Sequence, residues 1–444
     1  MAVMESDKRG QGLAAGPATR REVLAWAFFD FANSGYTTVV LTAVYSAYFV
    51  AVVAAGLDAR SPGSATLAWT LAIALANLIV LLSGPVIGAI ADSRARKKSF
   101  LLMSSALCIA GTALLGFTGP ETFAAAVVLV VVSAVAFASG ENLIAAFLPE
   151  IARSEDMGRI SGFGWSLGYF GGLLTLGACL AYIGWAENRG LPATHYVPVT
   201  LWLTAAIFAA TALPTFLWLR ERALPQPAHA GLFYLRAGFQ RVGRTLRHAA
   251  QMPDLFRFLW SLMLFQAGVA TVVVVAAIYA QDVMGFSSQQ LILLIMLVNL
   301  TAAAGAFLFG YAQDHFGSVP SLFAALLVWI VAIATAFGAD AASDVWVAGN
   351  LIGAAMGATQ AGGRALIGRL TPPARNAEIF GLWGLANRAA AIIGPISYGL
   401  ISRFSGGDHQ MALLSTLGFF LAGAALLLGV DEQRGMAAAH TVQP

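Results

Sequence analysis

The chain has 444 residues, of which 59% are hydrophobic and only 11% charged, with a formal net charge of +3. Soluble domains carry about 25% charged residues, so a soluble enzyme or binding domain is excluded. The small net charge gives no electrostatic footprint for nucleic acid, and the two cysteines, Cys108 and Cys179, both inside apolar runs, form neither a disulfide framework nor a metal set.

Residues 1–22 are polar and Gly/Ala-rich without a signal-type apolar core, and they read as a disordered cytoplasmic tail. Twelve apolar segments follow, predicted as membrane-spanning helices at 23–52, 65–91, 98–118, 121–148, 160–184, 196–219, 256–281, 289–313, 319–338, 343–368, 378–402 and 411–430. No segment alternates with period two, which argues against a β-barrel. The chain thus divides into a first bundle at 23–219, a basic linker at 220–255, a second bundle at 256–430 and a tail at 431–444, unstructured like the first. Within the linker, 233–247 is basic and amphipathic at helical spacing and is expected to lie along the inner membrane surface. With both termini cytoplasmic, twenty-one of the 25 Lys and Arg face inward and three (Arg60, Arg189, Arg403) outward, while Arg388 falls within a span. That asymmetry sets the orientation.

The second segment runs into a short basic turn, Gly88-Ala89-Ile90-Ala91-Asp92-Ser93-Arg94-Ala95-Arg96-Lys97-Lys98. A copy without the basic tail recurs at Gly310-Tyr311-Ala312-Gln313-Asp314-His315-Phe316-Gly317. Asn77, Gly88 and Asp92 map onto Asn299, Gly310 and Asp314 at a constant step of 222 residues, half the chain. Duplicated six-helix bundles are a common build for secondary transporters, with the site at the midplane between the halves.

Polar groups inside apolar segments are costly and become candidates for function. Trp26, Asp30, Asn33 and Thr37 share one helix face and form a polar stripe for substrate or a proton; alternatively, Asp30 forms an ion pair or caps a neighbouring helix. Glu141, beside Asn142, has Arg364 as its repeat counterpart, and a carboxylate facing a cation across the halves would grip a zwitterion or lock the inner gate. Arg388 either meets an anionic substrate group or pairs with Glu141 or Asp30. Gln266 and Gln360 are further polar candidates for the site, with Asn299 and Asn387 beside them. Gly171-Gly172 reads as close helix contact. Asp92, at a helix end, would be held by cations and by the N-terminus of a facing helix, or its basic turn only marks the inner side of the membrane; the Asp314 copy favours the former.

Two bundles of six spans and the turn at Gly88, Asp92, Arg96, Lys97 and Lys98 resemble the major facilitator superfamily, whose motif is roughly G-x-x-x-D-R-x-G-R-[RK]-[RK]. Ser93 and Ala95 depart from it, at the first Arg and at the Gly. Trp26, Asp30, Ala32, Asn33, Ser34 and Tyr36 are similar to the W-x-x-x-D-x-A-N-S-x-Y signature of the vacuole-effluxer-like branch. The junctions around Pro149-Glu150 and Gly162 to Tyr169, and from Gly363-Arg364 to Trp383-Gly384, resemble that branch as well.

The resemblance implies an all-α major facilitator fold of twelve spans and transport by rocking of two bundles. It implies an amino acid or similar polar metabolite as substrate, and a gating role for Gly88, Asp92, Arg96, Lys97, Gly310 and Asp314. No Walker-type phosphate loop is present, so ATP hydrolysis is not expected, and no nucleophile–base set or metal-ligand cluster suggests an enzyme or a cofactor. Coupling to protons would fall to Asp30 and Glu141. The expected partners are a small-molecule substrate, protons and the lipid of a plasma membrane, with no nucleic acid and a monomeric chain. The competing readings are an efflux pump for apolar or cationic drug-like compounds and a non-transporting receptor or scaffold.

Overall fold

The computed structural model describes residues 18–58, 64–222, 251–278, 286, 288–404 and 409–441. The amphipathic segment expected at 233–247, the tail before residue 18 and the turn holding Arg60 lie outside the described residues.

The described chain is helical. Helix α1 spans Arg20–Tyr36 and opens on a capping box, in which Thr19 Oγ1 accepts the Glu22 N–H and the Glu22 carboxylate accepts the Thr19 N–H (2.9 Å). Its continuation is wound as π-helix over Thr37–Ala43 and again over Phe49–Val53, with short α turns Tyr45–Tyr48 and Ala55–Asp58. The β-branched run Thr37-Thr38-Val39-Val40 crowds a regular α-turn. Thr42 Oγ1 donates to the Thr37 carbonyl five residues back (3.0 Å). The remaining helices are α2 (Ser64–Arg94), α3 (Lys97–Leu115), α4 (Phe123–Ala145), α5 (Met157–Glu187), α6 (Ala193–Trp218), α7 (Pro253–Ile278), α8 (Ser288–Phe316), α9 (Ser318–Phe337), α10 (Ala342–Arg369), α11 (Asn376–Phe404), α12 (His409–Leu428) and α13 (Glu432–Thr441).

Ten of the described helical segments are long and apolar enough to cross a membrane, or eleven if α12 and α13, bent by 67°, form one span. Helix α10 is not among them. Gln360, Arg364 and Arg369 and its many glycines lower its hydropathy, and residues 361–370 are buried in protein rather than turned outward. The segment from Asp431, expected to be an unstructured tail, is instead docked helix. Asp254 accepts the Asp431 N–H (2.9 Å) and pairs with Arg434 (2.7 Å).

The repeat is visible in the packing. In the first half α1 packs on α5 and α6, α4 on α2 and α3, and α3 on α6. In the second half α7 packs on α11 and α12, α10 on α8 and α9, and α9 on α12. Each pair has its counterpart six helices later. Phe29 against Phe208 and Phe216 forms part of the first core, and the Trp329–Phe420 stack (4.9 Å) part of the second. The halves meet mainly along two symmetry-related seams, α2 with α11 and α5 with α8.

Candidate functional site

Two ion pairs cross between the halves. Arg388 of α11 donates through Nη2 to Glu141 Oε2 of α4 (2.9 Å) and through Nη1 to Asn77 Oδ1 of α2 (3.3 Å). Arg364 of α10 pairs with Asp30 of α1 (2.7 Å). Both acids come from the first half and both cations from the second. Glu141 therefore does not face its repeat counterpart Arg364; the partners are exchanged.

The two pairs differ in exposure. The side chains of Arg388 and Glu141 are 19% and 29% exposed, those of Arg364 and Asp30 only 3% and 12%. All described partners of the Arg364 side chain belong to the first half. Nε donates to Ser161 Oγ (3.1 Å) and Nη2 to the Ser161 carbonyl (2.9 Å). The guanidinium lies over the rings of Trp26 (4.6 Å) and Trp165 (5.3 Å). Trp26 is itself fixed by donating Nε1–H to the Ile144 carbonyl (2.8 Å). Gly164 makes room for this cluster, since a Cβ there would sit 2.6 Å from Asp30 Oδ2 and 2.8 Å from Arg364 Nη2.

The expected amides are also placed. Gln266 of α7 donates to Gln360 of α10 (3.0 Å) and to Asn387 of α11 (2.8 Å), so they form one cluster inside the second half. Asn33 is buried on the Asp30 face of α1, with Oδ1 free of any described partner. Asn142 lines a small void between α2, α4 and α11 with Gly84, Gly88, Ser139 and Ala377, and its Nδ2 is likewise unpartnered. Asn299 instead turns back on its own helix and donates to the Ile295 carbonyl (2.8 Å).

At one end of the molecule both seams are clasped. Asp92 at the end of α2 accepts the Glu378 N–H in the first turn of α11 (2.8 Å). Asp314 at the end of α8 accepts the Gly158 and Arg159 N–H groups in the first turn of α5 (2.8 and 2.7 Å). Each carboxylate thus meets the positive end of a helix in the opposite half. Gly88 and Gly310 permit the approach: a Cβ on Gly88 would collide with the Ala377 carbonyl, and one on Gly310 would lie 2.7 Å from the Gly158 carbonyl. The turn after each Asp needs a left-handed residue. Gly317 has φ +94°, and its repeat partner Ala95 has φ +47°, where the family motif carries glycine.

Buried charges extend both clasps. Lys97 Nζ bridges Asp92 (3.5 Å) and Glu150. Glu150 accepts the Arg222 N–H (3.0 Å), and the Arg222 side chain reaches Glu22 (3.0 Å). In the second half Arg369 joins Asp314 (2.7 Å), Ser318 Oγ (2.8 Å) and Glu432 (2.6 Å). Glu432 also caps α9 by accepting the Ser318 N–H (2.7 Å). Glu221 caps α3 in the same way, through the Lys97 and Lys98 N–H groups. Burial pushes the Glu221 carboxyl up, opposed by those two N–H groups. Arg96 is exposed and makes no ion pair with a described residue, so the structure does not bring it into the clasp.

Ser161, Trp165, Glu150, Arg369 and Glu432 were not singled out from sequence. Ser161 and Trp165 sit in a glycine-rich run that reads as packing, and the three charges look like ordinary loop and helix-end residues. For all but Glu432, the signal was their position beside the two junctions preceding α5 and α11.

The model of the family described as "Vacuole effluxer Atg22 like" matches residues 64–440. An uncharacterized MFS-type transporter, YxiO of Bacillus subtilis, is 25% identical over 412 residues, covering 92% of this chain and 94% of that one. Autophagy-related protein 22-1 of Penicillium rubens is 26% identical over 299 residues, 62% of this chain and 50% of that one; the match spans about half the length of the fungal relative. Among solved structures, the human organic anion transporter MFSD10 superposes with a TM-score of 0.70 at 15% identity, covering 93% of this chain and 100% of that one. The proton:xylose symporter XylE gives 0.67 at 17%, covering 92% and 94%. At those identities the structures speak for the fold alone. The duplicated halves, the twin clasps and the family match lead to one conclusion: the chain belongs to the vacuole effluxer Atg22-like family, within the major facilitator superfamily of membrane transporters.

Proposed function

We propose that the chain is a secondary transporter that moves a small polar solute, an amino acid in the first instance, by alternating access of two six-helix bundles. In this reading twelve helices span a plasma membrane with both termini cytoplasmic. The clasped end, which carries most of the Lys and Arg, faces the cytoplasm. The observation that carries the proposal is that the halves are joined between the helices by crossed ion pairs and at one end by the twin Asp–helix contacts. Polar contacts of this kind can be exchanged for water or ligand as the halves rock, whereas a continuous apolar interface could not be opened at small cost. Asn33, Glu141, Asn142, Gln266, Gln360 and Arg388 then supply substrate binding, with Asp30, held by Arg364, as a proton site. Asp30 and Glu141 are the carboxylates available for proton coupling, and the chain works as a monomer.

Proteoliposomes under an imposed pH gradient test this directly. Uptake of zwitterionic amino acids driven by the gradient is the expected result. Flux of apolar cations with no flux of any polar metabolite would overturn it.

A further inference from the structure

The two crossed ion pairs are built differently, and we propose that they divide the work: Glu141 and Arg388 are the two anchors of a zwitterionic ligand, while Asp30 and Arg364 form a lock that the ligand does not enter. This rests on the transport reading above and assigns residues within it.

Arg364 is sealed. Its guanidinium is held by Asp30, by the oxygen atoms of Ser161 and by two indole rings, and Gly164 closes the space against it. A ligand could reach it only by dismantling five contacts. Arg388 is held by two. Nη2 goes to Glu141, Nη1 goes to Asn77, and its buried Nε–H has no partner among the described residues. Nε and Nη2 form one edge of the guanidinium, the edge that takes a carboxylate side-on with two parallel hydrogen bonds. In the present state half of that edge is filled by Glu141 and half is unused.

An incoming carboxylate that takes both N–H groups releases Glu141, and Asn77 still holds Nη1. The released Glu141 is then a partly buried carboxylate without a cation, which is costly unless a cation replaces Arg388. A ligand that carries its own ammonium a few ångströms from its carboxylate supplies both halves of the exchange. A simple anion leaves Glu141 unpaired, and a simple cation leaves Arg388 unpaired. The pair thus selects an ammonium and a carboxylate on one small molecule, and rejects ligands with either charge masked. Because Glu141 and Asn77 lie in the first half and Arg388 in the second, such a ligand bridges the two bundles.

The test uses purified full-length protein and a matched panel: free L-amino acids, their N-acetyl forms and their methyl esters, read as thermal shift and as binding affinity. Free zwitterions should raise the melting temperature, and masking either charge should weaken binding by roughly tenfold or more. Glu141→Gln should lose the discrimination against N-acetylation while keeping that against esterification. Arg388→Gln should show the reverse. A merely structural pair would weaken all ligands alike and leave the discrimination unchanged, and that result overturns the assignment. If the masked compounds bind wild-type protein as well as the zwitterions, or if no zwitterion binds, the proposal falls without recourse to variants. Proteoliposome flux of the same panel separates the two readings. Zwitterion-selective binding without flux would sink the transport reading and leave the site. Flux indifferent to masking would sink the site and leave transport.

Discussion

At the scale of single residues, the repeat exposes an exception. Ala95 and Gly317 occupy the same position in their turns and both have positive φ, but only the second copy carries the residue suited to it. An L-residue in the left-handed region costs about 1–2 kcal/mol. Ala95→Gly should therefore raise stability, by about 0.5–1 kcal/mol after the extra backbone entropy of glycine is counted. Denaturation in detergent would register this, and a lower melting temperature would contradict it. Arg364 makes the opposite case. Arg364→Ala leaves Asp30 buried without its cation and should cost about 3–5 kcal/mol. Adding Asp30→Asn removes the stranded charge and should recover part of that loss. If the double variant is as unstable as the sum of the two singles, Asp30 and Arg364 are not coupled.

At the scale of helices, α13 does more than trail the last span. Glu432 caps α9 and holds Arg369, which in turn holds Asp314 of the α5–α8 clasp. Glu432→Ala leaves the α9 N-terminus uncapped and takes one of two carboxylates from the buried Arg369 guanidinium. It should lower stability by about 1–3 kcal/mol, measured as a fall in melting temperature that Arg159→Ala, in a pair with Asp156 exposed at both ends, produces only weakly.

This network also marks the limit of what the sequence made legible. The all-helical membrane architecture, with ten or eleven of the expected twelve spans long and apolar enough to cross, the 222-residue repeat and the two clasp aspartates were readable, because apolar length and turn chemistry are local signals. The Glu141–Arg388 pair was one of three open choices for Arg388, beside Asp30 and an anionic substrate group. The partner of Arg364 was not readable, since Asp30 lies in the other half of the molecule with no shared periodicity. Ser161 and Trp165 were hidden because a glycine-rich helix reads the same whether it packs on another helix or makes room for a buried cation. The π-helical turns at Thr37–Ala43 and Phe49–Val53 left no pattern distinct from an apolar helix. The docked α13 was missed because its composition is that of a tail and its anchors, Asp254 and Ser318, are far away in sequence.

At the scale of the whole molecule, two half-structures share one packing plan and meet along two seams, each clasped at the same end by an aspartate on a facing helix N-terminus. The account requires that these clasps open and close. Asp92→Asn and Asp314→Asn each weaken one clasp, so each should shift the population toward separation at that end, and the double variant should shift it further. The most direct measurement is the distance distribution between spin labels at two exposed sites flanking the α5–α8 clasp, Ser154→Cys in the first half and His315→Cys in the second, both clear of the buried Cys108 and Cys179. The account predicts one short distance in the ligand-free protein and a second, longer population in the Asp314→Asn variant and on addition of a transported solute. A single unchanged distance under all three conditions would contradict alternating access by this chain.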